Sequence, residues 1–449
     1  MGVDDLGKRV MIEIIKSAIR KIDELSKNKD ILVVSHYDTD GVASAAVFAR
    51  ALFRWGKNFS LQIVNGLDEE FVKYLPEDKL LIFLDLASGS LDYLAKKKTE
   101  IFIFDHHEIV QEIPQNVVMI NPLAGNFEQM SAAAICYLFA KQLSNKNKDL
   151  ANLAILGMVG DLHDKIISKF FGEIISDSAA TVKKGLMLYP STRPLNRALE
   201  FSFNPFIPGV SGSREGVIEL LRDAEIPLAG GNYKSLCELT EEEMTRLTTA
   251  ILLKGGNKIN QEILVGNLFL INFFNKLEDA REFSALINAC SRMNRPEIAL
   301  GFCLGNRAAR AEAESIYIEY KQSLISALKH VSETPDKIVG EGYMIINARD
   351  RIKDTIIGTV ASILSHSPIY EEGLIVVALA YNGDKVKVSA RITGRKGRNV
   401  RELLGKAVLS VGGEVGGHPN AAGCLISREG EGKFIDELRR VLDLNLVKV

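Results

Sequence analysis

Short apolar runs alternate with helix-like stretches over the first third of the chain, and this alternation constrains the fold most. The runs lie at 31–34, 61–65, 80–86, 101–104 and 117–120. Helical patterns fall between several of them, at 41–55, 90–98 and 131–144. Ahead of them, Val10, Ile14, Ile15, Ala18 and Ile22 mark one face of an amphipathic helix over 6–25. Strands that alternate with helices build a parallel, right-handed, doubly wound sheet. In such sheets ligands sit beyond the carboxyl ends of the strands, so the residues that follow each run are where chemistry is expected.

Those residues are acids and histidines. The first run leads into Ser35-His36-Tyr37-Asp38-Thr39-Asp40-Gly41, the third ends at Asp85, and the fourth ends at Asp105-His106-His107. An apolar helical segment over 153–160 delivers Asp161, with His163 and Asp164 just after it. An acid at the end of so apolar a segment is costly to bury unless it is paired or metal-bound. The whole chain has seven histidines, so two in tandem stand out. If the segment after the first run stays extended, His36, Asp38 and Asp40 can converge on one side. Histidine and aspartate suit Mn, Zn or Fe, and hard carboxylate oxygens favour Mn or Mg. The plainer reading makes Asp40-Gly41 a turn, Asp38 a helix cap and the tandem histidines part of a capped strand end.

The 449 residues are enough for two or three domains, with the 47% apolar and 25% charged content of an ordinary globular protein. A net charge of -2 argues against a generally basic coat but leaves room for a local basic groove. The five cysteines are scattered without a Cys-x-x-Cys pair, as in a reducing, cytoplasmic setting. The start of the chain has no apolar signal core, and no run is long enough to span a membrane. From about 165 to 337 the pattern is mostly helical, with Arg214 at a loop leading into a helix and a long charged helix over 308–330. Beyond it, strand patterns at 340–346, 373–381 and 385–392 and a helix at 353–364 describe a compact α/β unit.

The pieces carry a family resemblance. His-x-Asp-x-Asp-Gly at 36–41, the strand-end Asp85, Asp105-His106-His107 and the Gly-Asp at 160–161 resemble the four motifs of the DHH phosphoesterase superfamily. Gly416-Gly417-His418-Pro419-Asn420-Ala421-Ala422-Gly423 resembles the glycine-rich signature of the DHH-associated C-terminal domain, and Ser389-Ala390-Arg391 its Ser-x-Arg strand. Pro419-Asn420 and the single glycine pair depart from longer glycine runs in the family. The length and the segment 281–292 look most like the archaeal RecJ-like nucleases.

The resemblance implies an α/β architecture: a doubly wound parallel-sheet catalytic domain over 1–170, a mostly helical middle segment over 171–337, and a smaller α/β substrate-binding domain over 338–449. It implies two divalent ions, usually Mn2+, with Mg2+ or Co2+ also suited to the ligands. His36, Asp38 and Asp85 would hold one, Asp40, Asp85, His106 and Asp161 the other, with Asp85 as the bridge. His107 is expected to touch substrate or the leaving oxygen, and Asp105 to orient a histidine. Ser389, Arg391, Gly416, Gly417 and His418 are expected to bind phosphate, as is the basic run Arg395, Lys396, Arg398 and Arg401. Asn288 and Arg292 are expected to face the substrate or, equally, to be helix-packing residues. The implied activity is exonucleolytic release of 5′-mononucleotides from single-stranded DNA, with RNA as an alternative strand. Two rivals stay open: an oligoribonuclease or small-nucleotide phosphodiesterase, and a scaffold that binds single strands. Docking on a replisome component such as GINS is compatible with either a nuclease or a scaffold.

Overall fold

The structure is a computed structural model that describes residues 3–125, 127–161, 169–202, 205–256, 264–333, 337–367, 369–394, 397–413 and 415–444. His163, Asp164, Arg395 and Lys396 lie outside the described residues. The chain forms two compact units, one of Met1–Leu199, Ile218–Ala250 and Asn260–Tyr317, the other of Glu200–Val217, Ile251–Ile259 and Ile318–Val449.

The first unit opens with α1 (Val3–Leu25), then β1 (Ile31–His36), α2 (Thr39–Arg54), β2 (Phe59–Val64), α3 (Glu69–Tyr74), β3 (Leu80–Leu84), α4 (Leu91–Leu94), β4 (Ile101–Phe104) and β5 (Val117–Ile120). The strands make one sheet in the order β2-β1-β3-β4-β5, every pairing parallel. β1, β3 and β4 are apolar without alternation because helices cover both faces of the sheet. The order reverses direction at β1, so a crevice opens beyond its carboxyl end, between β1 and β3. The stretch expected as a helix over 90–98 is helical only at α4.

Over one face lie α2, α5 (Ala132–Leu143) and α6 (Ala151–Gly160), and all three are buried along most of their length. Alanine and glycine where they meet let the backbones approach, while Phe48, Phe104 and Phe139 fill the space nearer the sheet. The Phe48 and Phe139 rings stack at 4.7 Å, and Phe104 meets Phe139 edge-on at 5.2 Å.

The middle of the chain is less helical than its pattern suggests. After α7 (Lys169–Ser178) comes β6 (Thr181–Leu186), then α8 (Leu195–Glu200), α9 (Arg214–Asp223), the short pair β7 (Leu228–Ala229) and β8 (Asn232–Tyr233), α10 (Glu241–Gly255), β9 (Val265–Phe273) and β10 (Lys276–Asp279). β10, β9 and β6 form an antiparallel sheet in that order. α11 (Ala280–Arg292) and α12 (Pro296–Cys303) follow, and α13 (Arg307–Glu333) leads out of the unit.

The second unit contains a six-stranded sheet in the order β11-β12-β13-β14-β16-β15. Its strands are β11 (Lys337–Gly340), β12 (Tyr343–Asn347), β13 (Ile375–Asn382), β14 (Lys385–Ile392), β15 (Val415–His418) and β16 (Ala421–Ser427). Its helices include α14 (Asp354–Ser365), α15 (Val400–Val408) and α16 (Glu431–Leu444). Val388, Ala390, Ala422, Cys424 and Ile426 on the sheet pack with Leu404, Phe434 and Leu438 of α15 and α16. No described helix is long and apolar enough to cross a membrane.

Candidate metal centre

The turn after β1 is built by capping. The chain does not stay extended through Asp40, as the convergence of His36, Asp38 and Asp40 was expected to require. Instead Asp38 is the N-cap of α2 and accepts the Gly41 amide at 3.0 Å, and Asp40 lies in the helix's first turn. A Cβ on Gly41 would lie 2.3 Å from the His36 carbonyl oxygen, so only glycine lets the strand turn this tightly into the helix. Ser35 Oγ donates to the Gly41 carbonyl at 2.7 Å and fastens the turn.

Asp40 is buried, and the first turn of α5 holds it. Its carboxylate accepts the amides of Ala132 at 2.7 Å and Ala133 at 3.0 Å, where the helix N-terminus favours negative charge. A Cβ on Gly157 of α6 would lie 2.4 Å from Asp40 Oδ1, so the absence of a side chain there makes room for the carboxylate.

Asp85 follows β3 with φ of 60°, in the left-handed region that aspartate visits more readily than most residues. Its amide donates to the Phe104 carbonyl at 2.9 Å. After β4, Asp105 is fully buried and accepts the amides of Ser88 (3.0 Å) and His106 (2.8 Å) and the Nδ1 of His107 (2.7 Å). Asp161 caps the C-terminus of α6.

These side chains converge on Asp85. His36 Nδ1 lies 3.1 Å from Asp38 Oδ2 and 3.4 Å from Asp85 Oδ2. His106 Nε2 lies 3.3 Å from Asp85 Oδ1, 3.1 Å from Asp161 Oδ2 and 3.8 Å from Asp40 Oδ2. His36, Asp38 and Asp85 form one set whose donor atoms lie within 4.8 Å of one another, and Asp40, His106 and Asp161 form another. Both Asp85 oxygens and His36 Nδ1 are buried without a hydrogen-bond partner. Orphaned polar atoms of this kind are costly, and these are donor atoms of the types that divalent cations take, so the residues fit metal ions.

The protonation states agree. Burial, reinforced by the charge of Asp38, pushes the Asp85 carboxyl well above the carboxylate range, and burial with the charges of Asp85 and Asp161 does the same to Asp40. Burial opposes ionisation of Asp38 and Asp105 too. There the neighbouring imidazoles and backbone amides override it and hold both carboxyls well down. The hydrogen bond to Asp105 raises His107 to about 9, against the effect of burial.

Several residues that secure this arrangement escaped the sequence reading. Asn121, just beyond β5, donates from Nδ2 to the His107 carbonyl at 2.9 Å and to Ser88 Oγ at 3.2 Å, tying three strand ends together. Thr39, between two of the acids, donates to the Ser284 carbonyl at 3.0 Å. Ser284 lies one turn before Asn288 and two before Arg292 on α11, and both of those are half-buried. A polar residue straight after an apolar strand, as in Asn121-Pro122, was the only available signal.

In the second unit, register puts Arg391, Ala421 and His418 in one row across β14, β16 and β15, and Ser389, Gly423 and Gly416 in a second row two residues away. The glycine-rich segment therefore forms the edge strand β15, a tight turn and the start of β16. A Cβ on Gly417 (φ 112°) would lie 2.4 Å from the Ala421 carbonyl oxygen, so the strand crosses there only as glycine. Arg391 donates to Ser362 Oγ at 3.0 Å and to the Ala390 carbonyl at 2.8 Å, while His418 is exposed. Arg398, expected to meet phosphate, instead donates to the carbonyls of Leu442 (2.7 Å) and Gly342 (2.9 Å) and serves packing. Arg401 is exposed on α15.

Carboxylates and imidazoles gathered at the strand ends of a parallel sheet fit a metal centre, and the family matches make the chain a metal-dependent phosphoesterase. The family models for the DHH family N-terminal domain, the DHH-CID domain and the DHHA1 domain match residues 30–158, 188–262 and 341–444. The chain belongs to the DHH superfamily and is RecJ-like in its organisation. An uncharacterized protein of Methanocaldococcus jannaschii is 27% identical over 431 residues, 92% of this chain and 93% of that one. A prophage-derived protein of Bacillus subtilis named as a single-strand DNA-specific exonuclease is 26% identical over 163 residues, 33% of this chain and 28% of that one. Among solved structures, exonuclease RecJ bound to manganese matches with a TM-score of 0.58 at 17% identity, covering 96% of this chain and 93% of that one. Cdc45 from Entamoeba histolytica matches with a TM-score of 0.64 at 12% identity, covering 96% and 99%.

Proposed function

We propose that the chain is a two-metal exonuclease that releases 5′-mononucleotides from single-stranded DNA, with RNA as the alternative strand. The observation that carries the reading is the pair of buried, unpartnered Asp85 oxygens, one facing His36 and the other His106. His36, Asp38 and Asp85 would hold one divalent ion, and Asp40, Asp85, His106 and Asp161 the other. Bound Mn2+, with Mg2+ or Co2+ as substitutes, would polarise the phosphodiester and acidify an attacking water. Asp85 has one oxygen towards each side and would offset the repulsion between two bound cations. Asp105 fixes the His107 ring through Nδ1, which leaves Nε2 to donate to a phosphate or leaving oxygen. Arg391, His418 and the glycine-floored rows of β15 and β16 suit phosphate contacts, and Asn288 and Arg292 are further substrate contacts in this reading.

The test is product analysis on single strands labelled at either end, DNA and RNA, long and dinucleotide, with Mn2+, with Mg2+ and with chelator. A metal-dependent ladder that Asp85→Asn or Asp38→Ala abolishes supports the assignment. Full activity in either variant refutes the ligand set. Cleavage of dinucleotides alone indicates an oligoribonuclease. Binding of strands without cleavage indicates a scaffold, for which a replisome component such as GINS would be the partner to capture.

A further inference from the structure

The unit that carries the metal centre has a second concavity, at the other end of α2. It is an open cleft of about 400 Å³. Three guanidinium groups line it, Arg50, Arg54 and Arg307, against one carboxylate, Asp149. Arg54 is neutralised by a two-pronged contact with Asp149, 2.7 Å on each arm. Arg50 donates only to the Leu304 carbonyl, and neither Arg50 nor Arg307 has a carboxylate partner among the described residues. Arg307 is also the first residue of α13, where the helix adds partial positive charge. Arg50 and Arg307 are both exposed, so two guanidinium groups without a carboxylate face the cavity, an arrangement that suits an anion.

The rest of the wall is aromatic, with the Phe273 and Phe274 rings edge-on at 5.1 Å and the Arg310 guanidinium 5.0 Å from the centre of the Phe274 ring. Phe273 and Phe274 line the cavity at the β9–β10 turn. Phe274 and Asn275 both have positive φ, 52° and 60°. Two-residue turns of this hand are ordinarily Asn-Gly. A phenylalanine held there is a genuine backbone outlier, of the kind that collects at ligand sites. Asn152 also lines the cavity. Its Nδ2 donates to the Asn272 carbonyl at 3.0 Å, and its Oδ1 is buried without a partner.

We propose that this cavity binds a nucleoside 5′-phosphate, with the phosphate on Arg50 and Arg307, the base against Phe273, and Asn152 Oδ1 accepting from a base amino group. Guanidinium forks match phosphate oxygens, and aromatic rings stack bases. Asp40 and Arg54 are separated by about 20 Å along α2, so the site is distinct from the metal centre and does not rest on the activity proposed above.

Calorimetric titration of the full chain with dAMP in EDTA tests this, with deoxyadenosine and inorganic phosphate as separate probes. One dAMP is expected to bind per chain, with each half-ligand at least about tenfold weaker. Arg307→Gln, an exposed change that leaves packing alone, is expected to weaken dAMP about tenfold, and Asp40→Asn to leave it unchanged. Absence of dAMP binding, wild-type affinity in Arg307→Gln, or loss of binding in Asp40→Asn would each overturn the proposal. Phosphate that binds as tightly as dAMP would refute the role given to the aromatic wall.

Discussion

Gly157→Ala is the sharpest probe of how the metal centre is held. The new methyl would lie 2.4 Å from Asp40 Oδ1 and 2.4 Å from Ala133 Cβ. Ordinary contacts are about 3.5–4.0 Å, so relief needs a shift of about 1 Å or more. Asp40 cannot retreat freely, because its two oxygens are fixed by the Ala132 and Ala133 amides at 2.7 and 3.0 Å. Breaking one such charged hydrogen bond costs about 1.5–3 kcal/mol, and overpacking a close-packed site about 1–3 kcal/mol. The gain in helix propensity, about 0.5–1 kcal/mol, does not offset these. A net loss of about 2–5 kcal/mol is expected in urea melts, with Mn2+ affinity down about 10–100-fold by calorimetry, as for other losses of ligand support. Gly172→Ala on α7 is the control, since nothing lies within 4 Å of its Cβ position. It is expected to match or slightly exceed wild type. If Gly157→Ala melts like the control and binds Mn2+ like wild type, the clamp on Asp40 is not what positions it.

Three further outcomes are expected. Asp279 is buried at the cap of α11 and accepts from Arg281 Nη2 (2.7 Å) and the Ser191 amide (3.0 Å), so Asp279→Asn should cost about 3–5 kcal/mol in a urea melt. Burial opposes its ionisation but Arg281 wins and holds its carboxyl low. Its stabilisation is thus present above the unfolded-state pKa and lost as pH falls through the folded one; an unchanged midpoint for the variant would contradict this. Burial pushes the Asp40 and Asp85 carboxyls up, towards the protonated form, whereas divalent cations take the ionised one. Mn2+ affinity should therefore rise with pH, and calorimetry in buffers of different ionisation enthalpy should register proton release; identical heats would sink the idea. Asn121→Ala frees both the His107 carbonyl and Ser88 Oγ, and turnover is expected to fall about 10–100-fold while the metal-bound chain still melts cooperatively.

What was legible in the sequence is what local pattern encodes. β1, β3, β4 and β5 stand within two residues of their apolar runs, because a strand in a parallel sheet covered on both faces has little polar content to blur it. The acids and histidines that converge were legible too, because they cluster just beyond such runs or, for Asp161, at the end of an apolar helix. Less legible was how they converge. Asp40 arrives by a helix start that an extended reading missed, and Asp85 by a left-handed residue. The sheet of β6, β9 and β10 was hidden because Thr181 pairs with Leu270 far along the chain, and β6 breaks its apolar pattern with two exposed lysines, Lys183 and Lys184. β15 escaped because glycines have no side-chain alternation to read.

The bonds from Ala132 and Ala133 to Asp40 have a consequence for synthesis of the chain. They span 92 and 93 positions. A nascent chain that has released β1 and α2, with Asp38 and Asp40 already in place, still lacks the amides that fix Asp40, and Asp161 comes later again. Half a centre binds cations loosely. The candidate metal site is therefore complete only once the N-terminus of α5 has docked on Asp40 and Asp161 has followed at the end of α6.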